Sequence, residues 1–144
     1  MSQLSLSVSL NARPSDVFSA FALPEKLVEW FAPGDSVVAQ VMSNFAVGGK
    51  YSLVMQEPNG HQFQLIGEYL AIEQDSHIRF SWAWADNEED SLITEVDVVF
   101  IAQGDETTQM TLTHTGFAND QERDQHQHGW IACLEKLSTL SLAN

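Results

Sequence analysis

The sequence predicts an α+β domain in which a curved antiparallel sheet of six to seven strands wraps around one long C-terminal helix. Three observations predict it. From Asn119 to Leu142 the apolar residues Trp130, Cys133, Leu134, Leu137 and Leu140, with Ile131 more loosely, recur at the three-and-four spacing of a helix with one buried stripe. From Ser36 to His114 most segments instead alternate apolar and polar residues and are separated by turn chemistry, the signature of half-buried strands. Between the first strand and this run lie two short stretches that read as helices, the first opened by Pro14 and ended by Pro24, the second from Glu25 to Phe31. A helix with one dry stripe and a sheet with one dry face each need a cover, and each can supply the other's.

Taken in order, Leu4, Leu6, Val8 and Leu10 alternate with Ser5, Ser7 and Ser9 and form the first strand. Arg13-Pro14-Ser15-Asp16 breaks it and opens a helix whose buried side is Val17, Phe18, Phe21 and Leu23. A second short helix, Glu25 to Phe31, turns Leu27, Trp30 and Phe31 inward before a turn at Pro33-Gly34. Val37 to Phe45 is the next strand, Gly48-Gly49 a kink or bulge, and Tyr51, Leu53 and Met55 an inward set. Pro58-Asn59-Gly60 marks a hairpin. The returning strand puts Phe63, Leu65, Gly67 and Tyr69 on one face, with Leu70 and Ile72 out of phase, so a bulge is expected near Gly67.

After a turn at Gln74-Asp75-Ser76, residues Ile78, Phe80, Trp82 and Trp84 share a face and make a heavily aromatic inner wall. Asp86 to Asp90 is an acidic loop, and Leu92, Thr94, Val96, Val98 and Phe100 face inward on the strand after it. In the last strand Met110, Leu112 and His114 share a face, so parity places a histidine beside the core or cavity. Asn119 caps the long helix, with Glu122 at the capping-box position and Asp120 and Glu122 at the positive end of the dipole.

Composition bounds the function. A length of 144 residues with 44% hydrophobic residues fits a single domain, 1–144, with a core that needs no staples. The lone Cys133 permits no internal disulfide, and with no apolar leader or membrane-length apolar run the expected location is the cytoplasm. Six basic against twenty acidic side chains give a formal charge of −14, which repels phosphate backbones and anionic lipid surfaces. Nucleic acid and membrane are therefore not expected partners.

No phosphate loop, nucleophile elbow or dinucleotide fingerprint is present, and no cofactor is implied. His126 and His128 stand two apart on a helix and point about 200° from each other, so they cannot chelate one metal from one face. His61 and His77 follow turns and are expected to be solvated. That leaves His114 as the one weak catalytic candidate, with Tyr51 or Tyr69 as a proton-sharing partner, against the plainer role of a hydrogen-bonded wall residue. The aromatic residues Trp30, Tyr51, Phe63, Tyr69, Phe80, Trp82, Trp84 and Trp130 outnumber what a sheet on one helix needs. With Leu53 and His114 they are the expected lining of a cavity for a small apolar, amphipathic or aromatic molecule.

Several local sequences also carry a resemblance: Trp30-Phe31-Ala32-Pro33, Gly48-Gly49-Lys50-Tyr51, Asn59-Gly60, Gly67-Glu68-Tyr69-Leu70-Ala71-Ile72, Phe80-Ser81-Trp82, Met110-Thr111-Leu112-Thr113-His114 and Gly129-Trp130. Collinear over nearly the whole chain, they resemble the START-like (SRPBCC) superfamily of helix-grip folds. Within it they are similar to the bacterial family related to the C-terminal domain of the activator of the heat-shock-ninety chaperone ATPase. Where that family often has Asp-x-Arg before the double glycine, this chain has Asn44-Phe45-Ala46. The resemblance implies a deep pocket, used in the superfamily for lipid transport, hormone binding or polyketide cyclisation. A cyclase- or hydrolase-like enzyme and a co-chaperone-like interaction domain are the alternatives it brings.

Overall fold

The computed structural model describes residues 2–32, 34–85 and 93–140. Strand β1 (Ser2–Leu10) is followed by α1 (Pro14–Ala22) and α2 (Pro24–Trp30). Then come β2 (Val37–Ser43), β3 (Lys50–Gln56), β4 (Gln62–Glu73), β5 (His77–Trp84), β6 (Thr94–Ala102) and β7 (Thr108–Phe117), and α3 (Asp120–Thr139) closes the described chain. The strands form one antiparallel sheet in the order β1-β7-β6-β5-β4-β3-β2. β1 and β2 hold its two edges, so α1 and α2 carry the chain from one edge to the other. Leu23 joins those helices: its N–H caps the end of α1 on the Ser19 carbonyl, and its own carbonyl accepts from Lys26 and Leu27. Pro24 cannot continue a helix, so the chain bends there and restarts.

The face that α3 covers is the dry one. Leu4, Leu53, Leu65, Phe80, Val96, Val98, Met110 and Leu112 are buried there, and Val17, Phe18, Phe21, Leu27 and Trp30 close it from the short helices. From α3 come Trp130, Cys133, Leu134 and Leu137. Ile131, loosely assigned to that stripe, is 40% exposed, because its position in the helical turn carries it off the buried face. The cap at Asn119 is present, its side-chain oxygen accepting from the Glu122 N–H at 2.9 Å. Near the other end the Lys136 ammonium donates to the carbonyls of Ala32 and Ser36, tying α3 to the segment after α2.

Three local expectations are corrected. Gly48-Gly49 is neither a kink nor a bulge inside a strand: it completes the turn joining β2 to β3, and β2 stops at Ser43 rather than Phe45. Gly48 takes a left-handed conformation, and a side chain at Gly49 would strike the Asn44 carbonyl. The bulge in β4 lies at Leu70, where the register with β5 shifts between Tyr69 and Ala71, and not at Gly67. That extra residue returns Ile72 to the inner face. His77, expected to be solvated, is partly buried, its Nε2 lying 2.6 Å from an Asp97 carboxylate oxygen. Pro33, Met1, the Asp86–Asp90 loop, Leu92 and the end of the last helix at Leu142 lie outside the described residues.

Gly67 has a different reason to be glycine. It pairs with Tyr51 across β3 and β4, and the Tyr51 ring lies over it to donate to the Ser81 carbonyl at 2.5 Å on β5. A Cβ at Gly67 would collide with both that carbonyl and the ring. Gly67→Ala is therefore expected to cost about 1–3 kcal/mol, the range for overpacking a tight site, read by urea denaturation at unchanged m-value. A cost within about 0.5 kcal/mol of zero, the range of ordinary surface changes, would contradict this packing.

Candidate functional site

A cavity of about 270 Å³ lies between the aromatic stretch of the sheet and the first half of α3. Strand period and helix period meet in it. Trp82 and Trp84 stand two apart on β5 and share a face, while His126, Trp130 and Cys133 stand four and three apart on α3 and share another. Phe31 from the end of α2, Met55 from β3 and Phe63 from β4 complete the wall, with Gln125 and Gly129 on α3. Gly129 removes a side chain from the helix face at a helix-propensity cost of about 1 kcal/mol.

The rings are set at steep angles to one another. Trp82 meets Trp84 at 5.6 Å and 88°, Phe31 meets Trp130 at 5.5 Å and 81°, and Trp82 lies 5.2 Å from Trp130 at 44°. Edges and faces are thus both presented, the arrangement aromatic groups prefer. Phe31, Trp82, Trp130, Met55 and Cys133 are buried and form the floor; Phe63, Trp84, His126 and Gly129 are half-buried and Gln125 is exposed, which puts the mouth beside the first turns of α3.

Beside the cavity runs a fixed chain of hydrogen bonds. The Trp130 indole N–H donates to His114 Nδ1 at 3.1 Å, so that nitrogen carries no proton. His114 Nε2–H then donates to Thr94 Oγ1 at 2.7 Å, and the Thr94 hydroxyl donates to the Trp82 carbonyl at 3.2 Å. His114 is fully buried, and burial, helped by the neighbouring His126, lowers its pKa to about 3. A neutral imidazole held at both nitrogens suits a structural post; a proton transfer would first have to break one of these bonds. Neither Tyr51 nor Tyr69 bonds to it: Tyr51 donates to Ser81, and Tyr69 shares a 2.8 Å bond with Ser43. Burial raises the pKa of both phenols.

His126 is held differently, at the mouth. Its Nε2 accepts from the Trp84 indole N–H at 3.2 Å, so its Nδ1–H donates to the Glu122 carbonyl at 2.8 Å. Cys133 lines the cavity, but burial pushes its thiol up to about 12 despite the opposing influence of Lys136, so it is a protonated, apolar wall group.

Of the ten residues expected to line a cavity, Phe63, Trp82, Trp84 and Trp130 do so. Tyr51, Leu53, Tyr69 and Phe80 instead surround a separate void of about 20 Å³, room for one water. Trp30 is buried against Phe21 and Phe31, its indole donating to the Ala20 carbonyl at 3.0 Å, and His114 sits behind Trp130. Phe31, Met55, Gln125, His126, Gly129 and Cys133 line the cavity without having been read as site residues. His126 was legible: it precedes Trp130 by four residues, the spacing of one helix face. Among the described residues no cluster of three or more potential ligands could hold a metal, and no helix is long and apolar enough to cross a membrane.

The model of the family described as "Activator of Hsp90 ATPase homolog 1-like protein" matches residues 11–141. No curated protein matches. Among solved structures the chain is similar to protein CV1439 from Chromobacterium violaceum, at a TM-score of 0.84 and 20% identity over 100% of both chains. It is also similar to the AHSA1 protein from Silicibacter pomeroyi, at 0.83 and 21% over 95% of each chain. CalU16 from Micromonospora echinospora matches at 0.71 and 20%, over 94% of this chain and 73% of its own. At such identities these likenesses show the helix-grip fold and nothing narrower.

Proposed function

We propose, from the premise that this chain belongs to the Activator of Hsp90 ATPase homolog 1-like family, that it binds a small aromatic or amphipathic molecule in the cavity between β5 and α3. The observation that carries the reading is the wall itself: three indoles, two phenyl rings, a thioether and a thiol around about 270 Å³. Space of that kind is costly to leave next to a close-packed core, and it matches the apolar, sparsely polar character of ligand sites. A cavity of about 150 Å³ accepts benzene, so this one accommodates roughly two fused rings. The sealed and doubly bonded His114 gives the cyclase or hydrolase alternative no acid or base. The chaperone alternative rests on the family's description, and the cavity adds nothing to it.

The test is a thermal-shift screen with small aromatics, short lipids and polyketide-like compounds. A ligand bound only by the folded state adds about 2.7 kcal/mol at a hundred times its Kd, enough to raise Tm by several degrees. The expected result is a concentration-dependent rise with bicyclic aromatics, together with a change in tryptophan emission. No shift from any member of the screen would overturn the reading.

A further inference from the structure

The chain has four tryptophans, and the N–H of each needs an acceptor when buried. Three have one: Trp30 on the Ala20 carbonyl, Trp84 on His126 and Trp130 on His114. The fourth, on Trp82, is buried with no partner, and Trp82 is 7% exposed in a cavity wall. A buried donor left unpaired is a standing cost that native structures rarely carry without a reason. The described lining residues also include no Asp, Glu, Lys or Arg. Among the described lining residues only the His126 imidazole, at the mouth, could meet an ion's charge, so an ion at the floor would lose its hydration with no opposite charge beside it.

We infer that the ligand of this cavity is an uncharged, flat molecule of about two fused rings with one hydrogen-bond acceptor, such as a ring ketone, and that the acceptor pairs with the Trp82 indole N–H. This rests on the cavity-binding reading above and narrows it to one ligand class. The steeply angled rings favour a flat partner, which can offer a face to one and an edge to the next. A chain charge of −14 disfavours an anion further. The Trp82 N–H is shielded in this structure, so the proposed pairing requires the indole to turn about its Cβ–Cγ bond toward the cavity, a change its own N–H signal would report. Binding of an acceptor should then move the Trp82 signal in a way that binding of a plain hydrocarbon does not.

The experiment compares 1-tetralone with tetralin, the same two rings without the carbonyl, and with 2-naphthoate as the anion. Affinities are measured by tryptophan fluorescence, and the four indole N–H signals are followed by ¹H–¹⁵N correlation spectra. The expected result is that tetralone binds about ten-fold more tightly than tetralin, one added buried hydrogen bond, and shifts the Trp82 N–H downfield. Trp82→Phe, which keeps a ring and removes the N–H, should erase that ratio, and it identifies the Trp82 signal by its loss. The wild-type ratio is informative even if that variant folds poorly. Equal binding of tetralone and tetralin, or tightest binding of naphthoate, overturns the inference and leaves the cavity reading standing. Failure of all three to bind overturns the inference, and the cavity reading falls with it if the lipids and polyketide-like compounds of the thermal-shift screen also fail.

Discussion

Trp130→Ala is expected to destabilise the protein by about 4 kcal/mol and to abolish binding in the cavity. Truncating a buried tryptophan costs about 3–5 kcal/mol, and Trp130 is only 2% exposed. Removing its N–H also leaves His114 Nδ1 buried without its donor, a further cost of about 1–3 kcal/mol. Against these stands the cavity: the side of the ring that borders it has few contacts to lose. Leu137→Ala is the control. Leu137 is fully buried and lines no part of the cavity, so it should cost about 2–5 kcal/mol while leaving ligand affinity intact in the folded fraction. Urea titrations of both variants decide the point. A Trp130→Ala penalty near 1 kcal/mol, or unchanged ligand affinity in that variant, would show that Trp130 does not join the sheet, His114 and the cavity in the way described.

Acid should weaken the fold through His114. Its folded pKa of about 3 lies below the usual histidine value of about 6.5, so below that value the unfolded chain takes up a proton that the folded chain refuses. The contribution to stability is therefore fully present above pH 6.5 and is lost as pH falls toward 3. At about 1.36 kcal/mol per unit, lowering the pH from 6.5 to 4 removes about 3 kcal/mol. Carboxylates titrate over part of the same range, so the informative quantity is the difference between wild type and His114→Asn. The asparagine can still accept from Trp130 but does not titrate. Denaturation midpoints at intervals from pH 7 to 4 should give a steeper loss for wild type. Parallel curves would mean that His114 is not the buried neutral group its hydrogen bonds describe.

The sequence carried the fold because the two periods do not mix. The alternation of Leu4 to Leu10, of Thr94 to Phe100 and of Met110 to His114 has one inward solution, and the structure buries those positions as expected, with Leu6 and Val8 partly buried at the edge strand and Leu10 fully buried. The turn at Gly48-Gly49 and the bulge at Leu70 were misplaced for a shared reason. A glycine marks where a side chain is excluded, and it does not say whether a turn or a neighbouring ring excludes it. At Gly67 the excluder is Tyr51, which no local pattern encodes.

The cavity was harder to read, because the parity of a strand tells which residues face inward and not which of them are covered by another side chain. Tyr51, Leu53, Tyr69 and Phe80 face the same way as Trp82 and Trp84, but Phe21, Leu27 and Phe31 come down upon them. They leave a void of about 20 Å³ there, while toward α3, where Gly129 withholds a side chain, about 270 Å³ remains. That distinction depends on where α1 and α2 dock, a long-range matter. The polar accounting is equally non-local: the Trp84 N–H finds His126 Nε2, while the N–H of Trp82, two residues earlier on the same strand face, finds no acceptor.

The most direct test of the central claim fills the cavity and asks whether binding disappears. Cys133 lies buried on the α3 side of the wall, and Cys133→Phe places a ring in the space a ligand would occupy while keeping the position apolar. The measurement is a fluorescence titration of a bicyclic aromatic ketone into wild type and into Cys133→Phe, with the variant's fold checked by circular dichroism. Saturable binding by wild type and none by the folded variant is the expected result. Binding of equal affinity to both would place the ligand elsewhere and contradict the account.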